Sequence, residues 1–176
     1  MRGNDHEVIG SALRWAAAGH RSALLTVLTA FGASPRPAGA MAAIRDDGLI
    51  VGSVSGGCIE DDLASEIRDG LLDRADSAVI LRVFGATASE RDRYRLPCNN
   101  TIRIAIETNW NIEDLTLVMD ALERDKVLSR RVEFASGKSS LYFESISSAL
   151  FAEDAESFTT SLGPHRRALV IGANEV

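Results

Sequence analysis

Ile50-Val51-Gly52-Ser53-Val54-Ser55-Gly56-Gly57-Cys58-Ile59-Glu60-Asp61-Asp62-Leu63 is the stretch whose reading decides the fold. It opens on β-branched apolar residues, passes through small residues and a glycine pair, and then repeats apolar side chains at mostly i,i+4 spacing through Ile59, Leu63, Ile67, Leu71 and Leu72. The pattern predicts a strand over 49–54, a tight turn, and an amphipathic helix over 59–72. Glu60, Asp61 and Asp62 fall in the first turn of that helix, where carboxylates favour the positive end of its dipole. Immediately upstream, 40–44 reads as the antiparallel partner of the strand, because Asp47-Gly48 between them is a strong signal for a tight hairpin turn.

Working outward, Asn4 or Asp5 caps a first helix whose apolar residues Val8, Ile9, Ala12, Leu13, Trp15 and Ala16 share a face, and Gly19 ends it. Residues 22–30 are too apolar to alternate and read as a buried strand. A strand over 79–84 is followed by a polar stretch, 85–100, without periodicity. Residues 101–108 alternate Ile102, Ile104 and Ile106 with Arg103, Ala105 and Glu107, as a half-buried strand does. Asn111 caps a helix to about 126, and 132–135 with 141–143 form a last hairpin. The expected fold is α+β, a mixed sheet of several strands with flanking helices, occupying 1–145. Residues 146–167 show no period and read as a linker, and 168–176 read as the first strand of an incomplete Rossmann-type domain. Asn174 stands where the second fingerprint glycine would be, so NAD is not an expected cofactor of this chain.

Composition narrows the function. A chain of 176 residues buries enough surface to hold a core without disulfides or a structural metal. Its two cysteines, Cys58 and Cys98, suit a reducing compartment. The formal charge of -6 argues against nucleic acid, and no apolar run reaches the roughly 20 residues needed to span a membrane. With a polar start, Met1-Arg2-Gly3-Asn4-Asp5, the expected location is the cytoplasm. His6, His20 and His165 lack metal-ligand spacing, and no nucleophile-elbow signature occurs, so neither a zinc site nor a hydrolase is expected.

Three loops carry the chemistry. In Gly32-Ala33-Ser34-Pro35-Arg36-Pro37-Ala38-Gly39-Ala40, two prolines restrict the backbone around a cation. In Ser53-Val54-Ser55-Gly56-Gly57-Cys58, small residues run straight into a helix, so amide groups and the helix end are suited to an anion. In Arg95-Leu96-Pro97-Cys98-Asn99-Asn100-Thr101, a thiol stands near Arg91, Arg93 and Arg95, which favour its thiolate. Plainer readings stand beside these: Arg36 as a surface side chain, the glycine pair as turn residues, Cys58 as a small buried hydrophobe, and Glu60 as a helix-start charge.

In this order and spacing the three loops resemble the N-terminal domain of the XdhC/CoxI family, the xanthine and carbon monoxide dehydrogenase accessory proteins, over roughly 8–143. The resemblance implies a maturation chaperone, not itself an enzyme. Such a protein binds molybdenum cofactor as cargo and delivers it in sulfurated form to a molybdenum hydroxylase apoenzyme of the xanthine/CO dehydrogenase type. It also implies a homodimer and a cysteine desulfurase as partner. The site residues it points to are Arg36, Ser55, Gly56, Gly57, Cys58, Glu60, Cys98 and Asn99. Arg36 and the glycine amides suit the cargo's phosphate or oxyanions, Cys98 or Cys58 the molybdenum or a transferred sulfur, and Asn99 the pterin edge. The chain departs from the family pattern at Asn99-Asn100, where the family has Gly-Gly, and at Met41, where it often has Lys or Arg. Two alternatives accompany the reading: a sulfur or redox transfer enzyme with Cys98 as nucleophile and Cys58 as resolving thiol, and a degenerate, interaction-only domain.

Overall fold

The computed structural model describes residues 4–30, 36–74, 79–94, 101–143 and 150–163. Helix α1 (Asn4–Ala17) buries Val8, Ile9, Ala12 and Trp15, the face set by their i,i+3/i+4 spacing, and the chain reverses at Gly19 with φ +83°. Strand β1 (Ser22–Ala30) is the central strand of the larger sheet and is covered on both faces, which is why its sequence is continuously apolar. Strands β2 (Met41–Arg45) and β3 (Ile50–Gly52) form the expected hairpin. At its turn Gly48 takes φ +89° and donates its amide to the Arg45 carbonyl at 2.8 Å. Helix α2 (Cys58–Arg68) stops at Gly70, φ +92°, and the four-residue α3 (Leu71–Arg74) follows, so the single helix expected over 59–72 is broken.

Strand β4 (Ile80–Phe84) leads into α4 (Ala88–Arg93), which lies inside the stretch read as aperiodic. Its start is a capping box: the Thr87 hydroxyl accepts the Glu90 amide at 3.2 Å, and the Glu90 carboxylate accepts the Thr87 amide at 3.1 Å. Strand β5 (Ile102–Glu107) and α5 (Ile112–Glu123) come next, the helix capped by Asn111, whose side chain accepts the Asp114 amide at 2.9 Å. Strands β6 (Leu128–Glu133), β7 (Ser139–Phe143), β8 (Phe151–Glu153) and β9 (Ser157–Leu162) complete the described chain.

The fold is α+β with flanking helices. Its strands divide between two sheets, one of five strands in the order β3-β2-β1-β5-β4 and one of four in the order β7-β6-β9-β8. Every ladder in both is antiparallel, so the strands do not share one mixed sheet. One face of the larger sheet packs Ala23, Leu25, Ile44, Ile104 and Ile106 against Ile59, Leu63 and Ile67 of α2. The other face meets α1, α5 and the smaller sheet through Leu24, Leu115, Leu128 and Leu162, and through Leu28, Ala105, Val132 and Phe158. A buried ion pair joins the sheets: Arg130 of β6 donates to both carboxylate oxygens of Glu107 of β5 at 2.9 and 2.7 Å, each side chain 3% exposed. Burial works against the Arg130 charge, and the Glu107 carboxylate outweighs it, holding the guanidinium above its ordinary pKa.

The linker expected over 146–167 is corrected by this topology, because 150–163 contains β8 and β9, and β9 lies between β6 and β8. The structured unit therefore runs past 145. The strand expected over 168–176 lies outside the described residues. Among the described residues no helix is long and apolar enough to cross a membrane.

Candidate functional site

The site begins where β3 ends. Gly52 has φ +84°, and a Cβ there would lie 2.5 Å from the Met41 carbonyl oxygen and 2.6 Å from Val8 Cγ2, so glycine alone fits between β2 and α1. The chain then folds over the Glu60 side chain. Glu60 Oε1 accepts the Ser53 hydroxyl at 2.7 Å and the amides of Val54, Ser55 and Gly56 at 2.8, 2.9 and 3.3 Å. Glu60 Oε2 accepts the Ser55 hydroxyl and, at 3.0 Å, the Gly57 amide. The last contact is the half of a capping box in which the third helical residue reaches back to the N-cap.

Glu60 is 3% exposed. Burial alone would push its pKa up, but the hydroxyl and amide of Ser55 and the hydroxyl of Ser53 outweigh burial and bring it down to about 2. It is a buried, fully ionised carboxylate at neutral pH. Two residues on, Asp62 accepts the Tyr94 hydroxyl at 2.7 Å and pairs with Arg93 at 2.7 Å. Burial, then the bond to Asp62, pushes the Tyr94 phenol up to about 12.

Arg36 faces this loop. A turn carries it there, with the Ala40 amide donating to the Pro37 carbonyl at 3.1 Å and Gly39 at φ +85°. Gly39 rests on Phe151 of β8, whose Cβ and Cδ2 are 3.5 and 3.6 Å from where a Cβ on Gly39 would stand. Arg36, Gly52, Ser53, Gly56, Gly57 and Asp61 line one open cleft of about 340 Å³, with Ile50 and Glu60 completing it. Arg36 and the 52–61 segment, separate in sequence, thus share one cavity, in which the Arg36 cation stands with the Glu60 and Asp61 carboxylates.

Of the residues singled out by sequence, Arg36, Gly56, Gly57 and Glu60 come together in this cleft, and Ser55 supports it by bonding Glu60. Cys58 is the first residue of α2. Cys98 and Asn99 lie outside the described residues. Sequence reasoning missed Ser53 and Asp61, and it did not see that the loop amides converge on Glu60; the glutamate at the third helical position after a small-residue turn was the available signal. Met41, standing where the family often has a cation, is 2% exposed and packs in the core. Among the described residues no three His, Cys, Asp or Glu side chains gather as a metal site. A larger cleft of about 450 Å³ lies away from these loops, where Arg21 pairs with Asp73 and the His20 ring bonds Asp46.

Fold and cleft together define a two-sheet α+β domain with an open cleft walled by a strand-to-helix loop and a proline-flanked arginine turn. Residues 15–87, which contain both walls of that cleft, match the model of the XdhC and CoxI family, the family that the loops point to. The chain is 29% identical over 143 residues to the molybdenum cofactor insertion chaperone PaoD of Escherichia coli (strain K12), across 74% of this chain and 40% of that protein. A solved structure described as a xanthine dehydrogenase from Bacillus halodurans shares the fold at a TM-score of 0.65 and 22% identity, over 90% of this chain and 53% of the other. The chain therefore spans about two-fifths of the curated relative it matches and about half of the solved chain.

Proposed function

We propose that this chain is the cofactor-binding part of a maturation chaperone for molybdenum enzymes. It takes molybdenum cofactor as cargo and passes it, in sulfurated form, to a molybdenum hydroxylase apoenzyme of the xanthine/CO dehydrogenase type. The observation that carries the reading is the meeting of Arg36 with the 53–57 loop around one cleft, inside the stretch that matches the family. The curated relative's role as a molybdenum cofactor insertion chaperone supports it.

The cargo has an anionic phosphate, a polar pterin and a soft metal centre. Arg36 offers the phosphate a charge-assisted donor pair. Thiols at Cys58 and Cys98 suit the soft metal or its sulfur, and Asn99 suits the pterin edge. A cysteine desulfurase as sulfur source, a homodimeric assembly and a cytoplasmic location belong to the same proposal.

Equilibrium binding of cofactor released anaerobically from a molybdoenzyme tests it. The wild type is expected to bind saturably, Arg36→Ala to bind roughly tenfold or more weakly, and Cys98→Ser to lose affinity as well. A folded wild type that binds no cofactor would overturn the proposal.

A further inference from the structure

We infer that Glu60 is the loop's own anion, a positioning residue that holds the 53–57 turn from inside the fold and shuts the cargo's phosphate out of the backbone amides there. The closed turn stands on its own hydrogen bonds; the consequence for the cargo rests on the chaperone reading.

The donors argue for it. A carboxylate offers about four lone-pair sites, and Glu60 accepts from six groups, four of them the consecutive amides of residues 54–57. Gly56 and Gly57 are exposed, yet their N–H groups turn inward, that of Gly57 to Glu60 at 3.0 Å and that of Gly56 to the Ser53 hydroxyl at 3.0 Å and to Glu60 at 3.3 Å. Nothing lies within 4 Å of where a Cβ on Gly57 would stand, so no neighbouring protein atom demands glycine there. What the position requires is φ +134°, which aims the amide at the carboxylate. A second anion entering at this loop meets spent donors and a fixed negative charge, whose repulsion is weakly screened at a buried site. The cargo's anionic end is thereby directed to the Arg36 wall.

Removing the carboxylate reverses the situation. Glu60→Ala leaves four amides and two hydroxyls converging on an empty space of carboxylate size, a receptor for formate. Amide NMR and thermal unfolding of wild type, Glu60→Ala and Glu60→Gln, titrated with formate and with inorganic phosphate at constant ionic strength, test the inference. In the wild type, neither anion should move the 54–57 amides. Glu60→Ala should melt roughly 5–10 °C lower, and formate should restore its melting temperature saturably while shifting those four amides. Glu60→Gln keeps one acceptor oxygen and should fall between the two without answering to formate. If Glu60→Ala folds only in formate, the inference is equally supported.

Saturable phosphate shifts at 54–57 in the wild type would overturn it, and so would a folded Glu60→Ala that ignores formate. Formate rescue with no cofactor binding to any of the three proteins would sink the chaperone reading and leave the closed turn standing. Cofactor binding combined with phosphate shifts in the wild-type amides would do the reverse.

Discussion

Because Glu60 is ionised and buried, acid acts on it in a defined window. Its pKa is lowered from 4.5 to about 2, so its contribution to stability is complete above the unfolded value and is lost as pH falls through the folded one. Urea unfolding followed from pH 5 to 2 should show a decline on the order of 3 kcal/mol from this group, and Glu60→Gln should remove that part of the slope. Gly52 is the other position where single atoms decide. Gly52→Ala drives a Cβ into the Met41 carbonyl and the Val8 methyl at a positive φ, and should cost roughly 2–4 kcal/mol by chemical denaturation. The arginine turn and the glycine loop were legible because prolines, glycines and a lone cation in short loops leave few structural options. The direction of the amides was not, since it depends on the φ values of Gly56 and Gly57, +99° and +134°, and residue types do not encode those angles.

Elements were legible where burial follows a simple period. β1 is apolar on both faces and sits mid-sheet, and α5 begins at its Asn111 cap. β9 escaped because Ser157, Thr160 and Ser161 are buried beside Phe158 and Leu162, so its inward face carries hydroxyls and the alternation vanishes. β6 was shortened to 132–135 because Arg130 looks like a surface residue; only its pairing with Glu107 lets it lie inside. That pair predicts a non-additive result. Arg130→Met strands a buried carboxylate and should cost roughly 3–5 kcal/mol, whereas Arg130→Met with Glu107→Leu should recover most of the loss. A double-mutant cycle in urea measures the difference.

At the scale of the molecule, the smaller sheet is completed by its last two strands. A chain ending at residue 145 loses β8 and β9, uncovers the ladder edge of β6 and removes Phe158, 1% exposed, from its packing with Leu28, Ala105 and Val132. It should unfold without a cooperative transition by calorimetry, while a chain ending at 163 should melt as one unit. The family match closes at residue 87, well before these strands, yet Phe151 of β8 lies under Gly39 in the turn that carries Arg36. Phe151 thus props the turn that carries Arg36. The prop stands more than sixty residues beyond the matched stretch, so where that cation sits depends on the smaller sheet as well as on its own loop.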